Sequence, residues 1–301
     1  MIKGKSSFDS SAEMTDFIDA CEKSFEQQLK DVSEAVISSG SSIITICGPS
    51  CSGKTTTANK LVKNLSLYGK KIHVISFDDF YLDRKVIEEM CRKKGVETEF
   101  ESASTLDLEL LRSVIQSISS KDPTSVPRYS FAKGERSGYI EYDISDDDMF
   151  IFEGIQALYP EVNSLWGDTK HFSIYICVEN GIEFEDVGFD KESVRFLRRV
   201  IRDYKHRASN MEMTYKLWKN VRANEEANIF PNIGNADHFI NSVLAYELNV
   251  IKNDAYEIFD SLQTTDECYN LSLAFKDKLD RIQTISEDFV PSESVLREFI
   301  D

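Results

Sequence analysis

Ile43-Ile44-Thr45-Ile46-Cys47-Gly48-Pro49-Ser50-Cys51-Ser52-Gly53-Lys54-Thr55 is the stretch on which the fold turns. Its first five residues form a short β-branched run of the kind buried in a parallel sheet. The last eight satisfy GxxxxGK[ST] at every fixed position, and Thr56-Thr57-Ala58-Asn59-Lys60-Leu61 continues as a helix. The pattern therefore sits between the strand and the helix that it needs. Glycines let the backbone curl until successive N–H groups point inward, above the positive end of the helix dipole. Gly48, Ser50, Cys51, Ser52, Gly53, Lys54, Thr55 and Thr56 are expected to cradle nucleotide phosphates, with Lys54 as the mobile cation and the Thr55 hydroxyl placed to ligate Mg²⁺.

Outward from this loop, apolar runs at 72–77, 149–152 and 172–178 read as further strands, and 56–67, 106–119 and 194–206 read as helices between them. Strands alternating with helices predict an α/β fold, a doubly wound parallel sheet of the P-loop NTPase type covered on both faces. Residues 1–40 carry an amphipathic helix, with Phe17, Cys21, Phe25, Leu29, Val32 and Val36 along one stripe. Residues 41–301 are expected to form one P-loop domain: a nucleotide core and lid over 41–210, and a mainly helical part over 211–301 with long helices at 236–259 and 271–285.

The 301 residues hold 35 Lys plus Arg against 52 Asp plus Glu, a net charge of −17 that disfavours bulk nucleic-acid binding. An anionic ligand must be caught by a local positive site. The six cysteines show no CxxC pair, and the four histidines show no metal or triad spacing. Polar residues follow Lys3 and Lys5 where a secretory leader would be apolar, and no run approaches the length of a membrane span, so a cytoplasmic protein without a membrane partner is expected.

Two carboxylates and a basic segment narrow the chemistry. Asp78 follows the second strand and Glu153 ends the third, and in an open α/β sheet strand ends border the ligand crevice. Asp78 is placed to take a proton from an acceptor hydroxyl or to order the metal, and Glu153 to hold Mg²⁺. Arg195 to Arg207 packs six Arg or Lys residues into 13 positions. Arg195, Arg198, Arg199 and Arg202 recur three or four apart, so on a helix they share a face and are expected to clamp a polyphosphate as a lid.

These blocks in this order resemble the uridine kinase and phosphoribulokinase family of P-loop kinases, most closely its bacterial uridine kinase-like branch. The matching stretches run from about residue 41 to 301: GPSCSGKTT, ISFDDFYLDR, FESASTLDLELL, PRYSFAKGERSG, IFEGIQALYP, RFLRRVIRDYKHR, the segment from Trp218 to Lys252, and VPSESVLREFID. The resemblance implies an ATP- and Mg²⁺-dependent kinase acting on the 5′-hydroxyl of uridine or a related nucleoside. It implies Asp78 as base, with Lys54, Arg199 and Arg202 completing the catalytic group. Arg207 would contact the nucleotide from the lid, and Tyr81, Glu101, Tyr129 and Arg136 would bind the acceptor. Glu101 suits a ribose because a carboxylate accepts two hydrogen bonds from a vicinal diol.

Three positions depart from the family pattern. Gly134 stands where nucleoside-specific members carry a base-contacting His, Ser193 replaces an Asp ahead of the lid, and Ala208 replaces a Gly after it. The first leaves open a non-nucleoside acceptor, such as a phosphosugar, glycerate or a vitamin precursor. A nucleotide-binding regulator is the remaining alternative, disfavoured by the acceptor-side acid, aromatic block and lid together. A homo-oligomer is compatible with the sequence.

Overall fold

Five runs pair side by side, and the three at the centre, over residues 43–47, 149–152 and 172–176, are buried on both faces. In the computed structural model, which describes residues 1–95 and 98–301, the order of elements begins with β1 (Ile2–Lys3), α1 (Ser11–Ser39), β2 (Ile43–Cys47), α2 (Lys54–Ser66), β3 (Lys71–Ser76), α3 (Arg84–Lys94) and α4 (Leu108–Ser120). There follow β4 (Thr124–Ser130), β5 (Glu135–Tyr142), β6 (Asp148–Glu153), α5 (Pro160–Asn163), β7 (His171–Cys177), β8 (Ile182–Glu183), β9 (Gly188–Phe189) and α6 (Lys191–Arg207). The chain ends with α7 (Met211–Asn224), β10 (His238–Asn241), α8 (Glu247–Asp260), α9 (Tyr269–Leu279) and α10 (Arg297–Ile300).

The central sheet is parallel throughout, in the order β10-β7-β2-β6-β3, with Ile43 opposite both Phe150 and His171. Side chains alternate between two cores. Ile44, Ile46, Met149 and Ile151 join the core that includes α1, α2, α6 and α8, whereas Ile43, Cys47, Phe150 and Phe152 join the one beneath α3 and α4. This is the expected doubly wound α/β arrangement, with its switch point at the loop after β2.

Helix α1 starts on a Ser10 cap that accepts from Glu13 N and stops at Gly40, whose φ of 69° opens the left-handed turn. Phe25, Leu29, Val32 and Val36 of the predicted stripe are buried, but nearer the N-terminus the stripe turns to Met14 and Ile18, leaving Phe17 and Cys21 at its edge.

The helix expected over 236–259 needs correction. Residues 238–241 form β10, the fifth strand of the sheet, and α8 begins only at Glu247. The segment completes the open edge of β7, and Asp237 and Asn241 fasten its two ends there by accepting from Ser173 N (2.8 Å) and Glu179 N (3.1 Å). The second helix is also shorter than expected, ending at Leu279. The β4–β5 hairpin, absent from the sequence reading, turns at Gly134, where φ is +71°.

Candidate functional site

The loop from Gly48 to Lys54 bends tightly, with Cys51 at φ 60° and Gly53 at φ 86°. Gly48 is needed for close approach, since a β-carbon there would stand 2.1 Å from the Ile176 carbonyl. Lys54 Nζ donates to the Gly48 (2.9 Å) and Pro49 (3.1 Å) carbonyls. Lys54, Thr55, Ser50 and Cys51 open into a cavity of about 680 Å³ at the ends of β2 and β6.

The other walls bring together most of the sequence-predicted residues. Asp78, Tyr81, Glu101, Tyr129, Glu153, Arg199, Arg202 and Arg207 all line this cavity. Asp78 sits in a 3-10 turn after β3, where Ser76 caps its N–H (3.3 Å). Its neighbour Asp79 faces the opposite way and is consumed by Arg128 (2.8 Å) and Tyr129 N (3.0 Å), so of two adjacent acids only Asp78 reaches the cavity. Tyr81 donates its hydroxyl to the Phe100 carbonyl (2.9 Å). Arg136 is not brought into the wall: it lies outside the cavity lining, paired with Asp107 (2.7 Å). Gly48, Ser52, Gly53 and Thr56 belong to the loop and its helix rather than to the lining.

Helix α6 does not present its arginines as one clamp, and the expectation that Arg195, Arg198, Arg199 and Arg202 act together on a ligand is corrected here. Arg195 is buried in a bidentate pair with Glu225, and its Nε donates to the Ser50 carbonyl (3.1 Å). Arg198, wholly buried, bonds Glu247 (2.6 Å), the Ser242 carbonyl (2.8 Å) and the Cys51 carbonyl (3.2 Å). Both hold the loop's carbonyls from behind. Arg199, Arg202 and Arg207 instead reach the cavity and share the carboxylate of Asp203, at 3.2, 3.1 and 3.5 Å. Arg199 also donates to Ser50 Oγ (2.9 Å).

Burial pushes the Asp78, Glu101 and Glu153 carboxyls above their ordinary pKa values, against the downward pull of Lys54 on all three and of Arg199 on Glu101. The cavity thus sets these three desolvated acids, with Glu298, against five cations: Lys54, Arg84, Arg199, Arg202 and Arg207. Among the described residues no group of three or more His, Cys, Asp or Glu could hold a metal alone. The donor set fits Mg²⁺ nonetheless, because that ion keeps waters and takes one or two carboxylates together with substrate phosphates; Thr55, Asp78 and Glu153 line one wall as hard oxygen donors.

Several site residues were not picked out from the sequence. Asp203, amid six cations, reads as a solvated counter-charge yet gathers three arginines. Phe100, Phe131 and Arg84 line the same cavity. Glu298, from the far C-terminal block, accepts from Thr56 N (3.1 Å) and Thr56 Oγ1 (2.8 Å). The block VPSESVLREFID was the available signal for that last contact.

The profile of the Phosphoribulokinase / Uridine kinase family matches residues 43–248. Uridine kinases of Staphylococcus aureus, strains JH9 and Newman among them, are 31% identical over 179 residues, spanning 60% of this chain and 76% of theirs. A solved structure from Silicibacter sp. TM1040, a kinase assigned to a fructose transport system, aligns with a TM-score of 0.51 at 17% identity, over 70% of this chain and 98% of that one. That likeness bears on the fold.

Proposed function

The chain belongs to the phosphoribulokinase / uridine kinase family, and from that premise we propose that it is an ATP- and Mg²⁺-dependent kinase transferring the γ-phosphoryl group to the 5′-hydroxyl of uridine or a related nucleoside. One observation carries the reading: Asp78 and Glu101 line a single cavity together with Lys54 and three arginines of α6, Arg199, Arg202 and Arg207. The acceptor hydroxyl would lie at Asp78, whose raised pKa brings it nearer the working pH of a general base. Glu101 and Tyr129 would hold the sugar, and Tyr81 would support them through the Phe100 carbonyl. Lys54, Arg199, Arg202 and Arg207 would neutralise charge on the transferring group. Thr55 and Glu153 would hold Mg²⁺, which when bound supplies further neutralisation of the phosphates. The setting proposed for this activity is the cytoplasm, since the ligands are small soluble metabolites.

Asp78→Asn tests this directly. It is expected to lower kcat about 10²- to 10⁴-fold while leaving ADP affinity near that of the unaltered protein. Unchanged turnover would remove Asp78 from the chemistry. A coupled assay of ADP release across nucleosides, phosphosugars and glycerate decides the acceptor, and strong preference for a non-nucleoside would replace uridine in the reading.

A further inference from the structure

At the mouth of the cavity α3 begins with Arg84, whose backbone N–H donates to the Gly134 carbonyl (2.7 Å). Its side chain lies across the Gly134 α-carbon, so closely that a β-carbon there would meet Arg84 Cβ, Nε and Cζ at 2.9, 3.0 and 3.1 Å. Nη2 donates to the Phe131 carbonyl (2.6 Å). An exposed side chain of a type that usually wanders is therefore held at its stem and at one nitrogen. Among the described residues its remaining N–H groups have no protein partner. Beside it Tyr81, Tyr129 and Phe131 meet edge to face, with ring centroids 5.6, 6.1 and 5.3 Å apart, walls of a kind that receive a flat ring.

We propose that Arg84 is a specificity-determining residue that reads the outer edge of the acceptor's base and selects uridine over cytidine. The inference rests on the nucleoside reading above. With the 5′-hydroxyl at Asp78 and the ribose by Glu101, the base is outermost, toward the mouth where Arg84 stands. A pyrimidine joins ribose through N1, so its C4 substituent lies across the ring, farthest from the sugar. Uracil carries an oxygen there, which accepts; cytosine carries an amino group, which donates. A guanidinium only donates, so it satisfies the uracil oxygen and opposes the cytosine amine. Sites built to hydrogen-bond one group reject its mismatch strongly because polar atoms are then left unpaired.

The test compares kcat/KM for uridine, cytidine and 4-deoxyuridine in the unaltered protein and in Arg84→Ala, with thermal melting to confirm that the exposed substitution leaves the fold intact. The unaltered protein should prefer uridine over cytidine by at least roughly tenfold. Arg84→Ala should lose a similar factor on uridine, mainly through KM, and little on 4-deoxyuridine, which lacks the oxygen being read. An equal loss on all three substrates, or a uridine-to-cytidine ratio that Arg84→Ala leaves unchanged, overturns the role of Arg84 alone. Absence of turnover on every nucleoside in the unaltered protein overturns the nucleoside reading along with it.

Discussion

Helix α6 uses the same residue type for two opposite ends, although its arginines recur on one broad side of the helix. Arg195 and Arg198 are buried, paired with Glu225 and Glu247, and bonded to the carbonyls of Ser50 and Cys51. Arg199, Arg202 and Arg207 look into the cavity and share Asp203. The buried pair fastens the outward-facing carbonyls of the phosphate loop, which leaves its N–H groups free to point at an anion. The open set offers charge to whatever binds. Cation density along a sequence therefore overstates the charge a ligand meets, because part of it is spent on carboxylates in the core.

Separating the two sets of arginines by mutation gives the largest expected effects. Arg202→Gln should lower kcat roughly 10³-fold, the scale on which an arginine stabilises phosphoryl transfer, while the denaturation midpoint stays near that of the unaltered protein. Arg198→Met should do the reverse in stability, costing about 3–5 kcal/mol in chemical denaturation because Glu247 is left buried and unpaired. The double change Arg198→Met with Glu247→Leu should regain part of that loss, since an apolar pair can replace a buried ion pair at little net cost. Recovery stays incomplete because the Cys51 and Ser242 carbonyls lose their donor. If Arg202→Gln unfolds the protein, or Arg198→Met leaves stability intact, the division of the helix is wrong.

The phosphate loop could be read from the sequence because its chemistry is contiguous: main-chain donors of successive residues, one lysine and one hydroxyl amino acid in fixed register. Asp78 and Glu153 were equally accessible, since each follows a strand whose end must border the crevice. The fate of the arginines was not. Arg195 and Arg198 find their carboxylates 30 and 49 positions away, and no local periodicity distinguishes a helix face that meets such partners from one that meets solvent. Strand β10 escaped for a related reason: four residues are too few to show a period of two, and what makes them a strand is the open edge of β7. The proposed acceptor side of the cavity takes Arg84, Phe100, Glu101 and Phe131 from separate segments. Only the resemblance to a known family pointed there, and it included Arg136, which the fold sets against Asp107 instead.

A more modest effect concerns pH. Burial raises the Asp78 pKa above its ordinary value of 3.8, with Lys54 acting in the opposite sense. A general base works when ionised, so activity should be complete above the raised pKa and fall as pH drops through it. The acid limb of the kcat/KM profile is expected above the ordinary aspartate range, and the residual activity of Asp78→Asn should lack that limb. A limb at an ordinary carboxylate value would mean that the cavity's cations outweigh its desolvation, and that its open face is more strongly positive than the burial of its acids implies.

The smallest expected effect lies at Glu298, which belongs to neither set of arginines yet touches the same loop. Its carboxylate occupies Thr56 N and Oγ1, donors at the start of α2 that the family resemblance assigns to the nucleotide. The chain behind it is pressed close, for a β-carbon at Gly53 would stand 2.5 Å from Val295 Cγ2. A phosphate and a carboxylate cannot both accept fully from these two groups, so binding must displace Glu298 or share with it. Displacement lowers apparent affinity by the fraction of molecules in which the donors are free. Glu298→Ala should then bind ADP more tightly, on the order of tenfold at most, by isothermal titration. Exchange of the Thr56 amide should also speed up in the ligand-free variant, because its acceptor is gone. Weaker ADP binding would instead make Glu298 a contact of the bound nucleotide. The C-terminal block would then side with Arg202 as part of the ligand's wall, rather than with Arg198 as a brace for the loop.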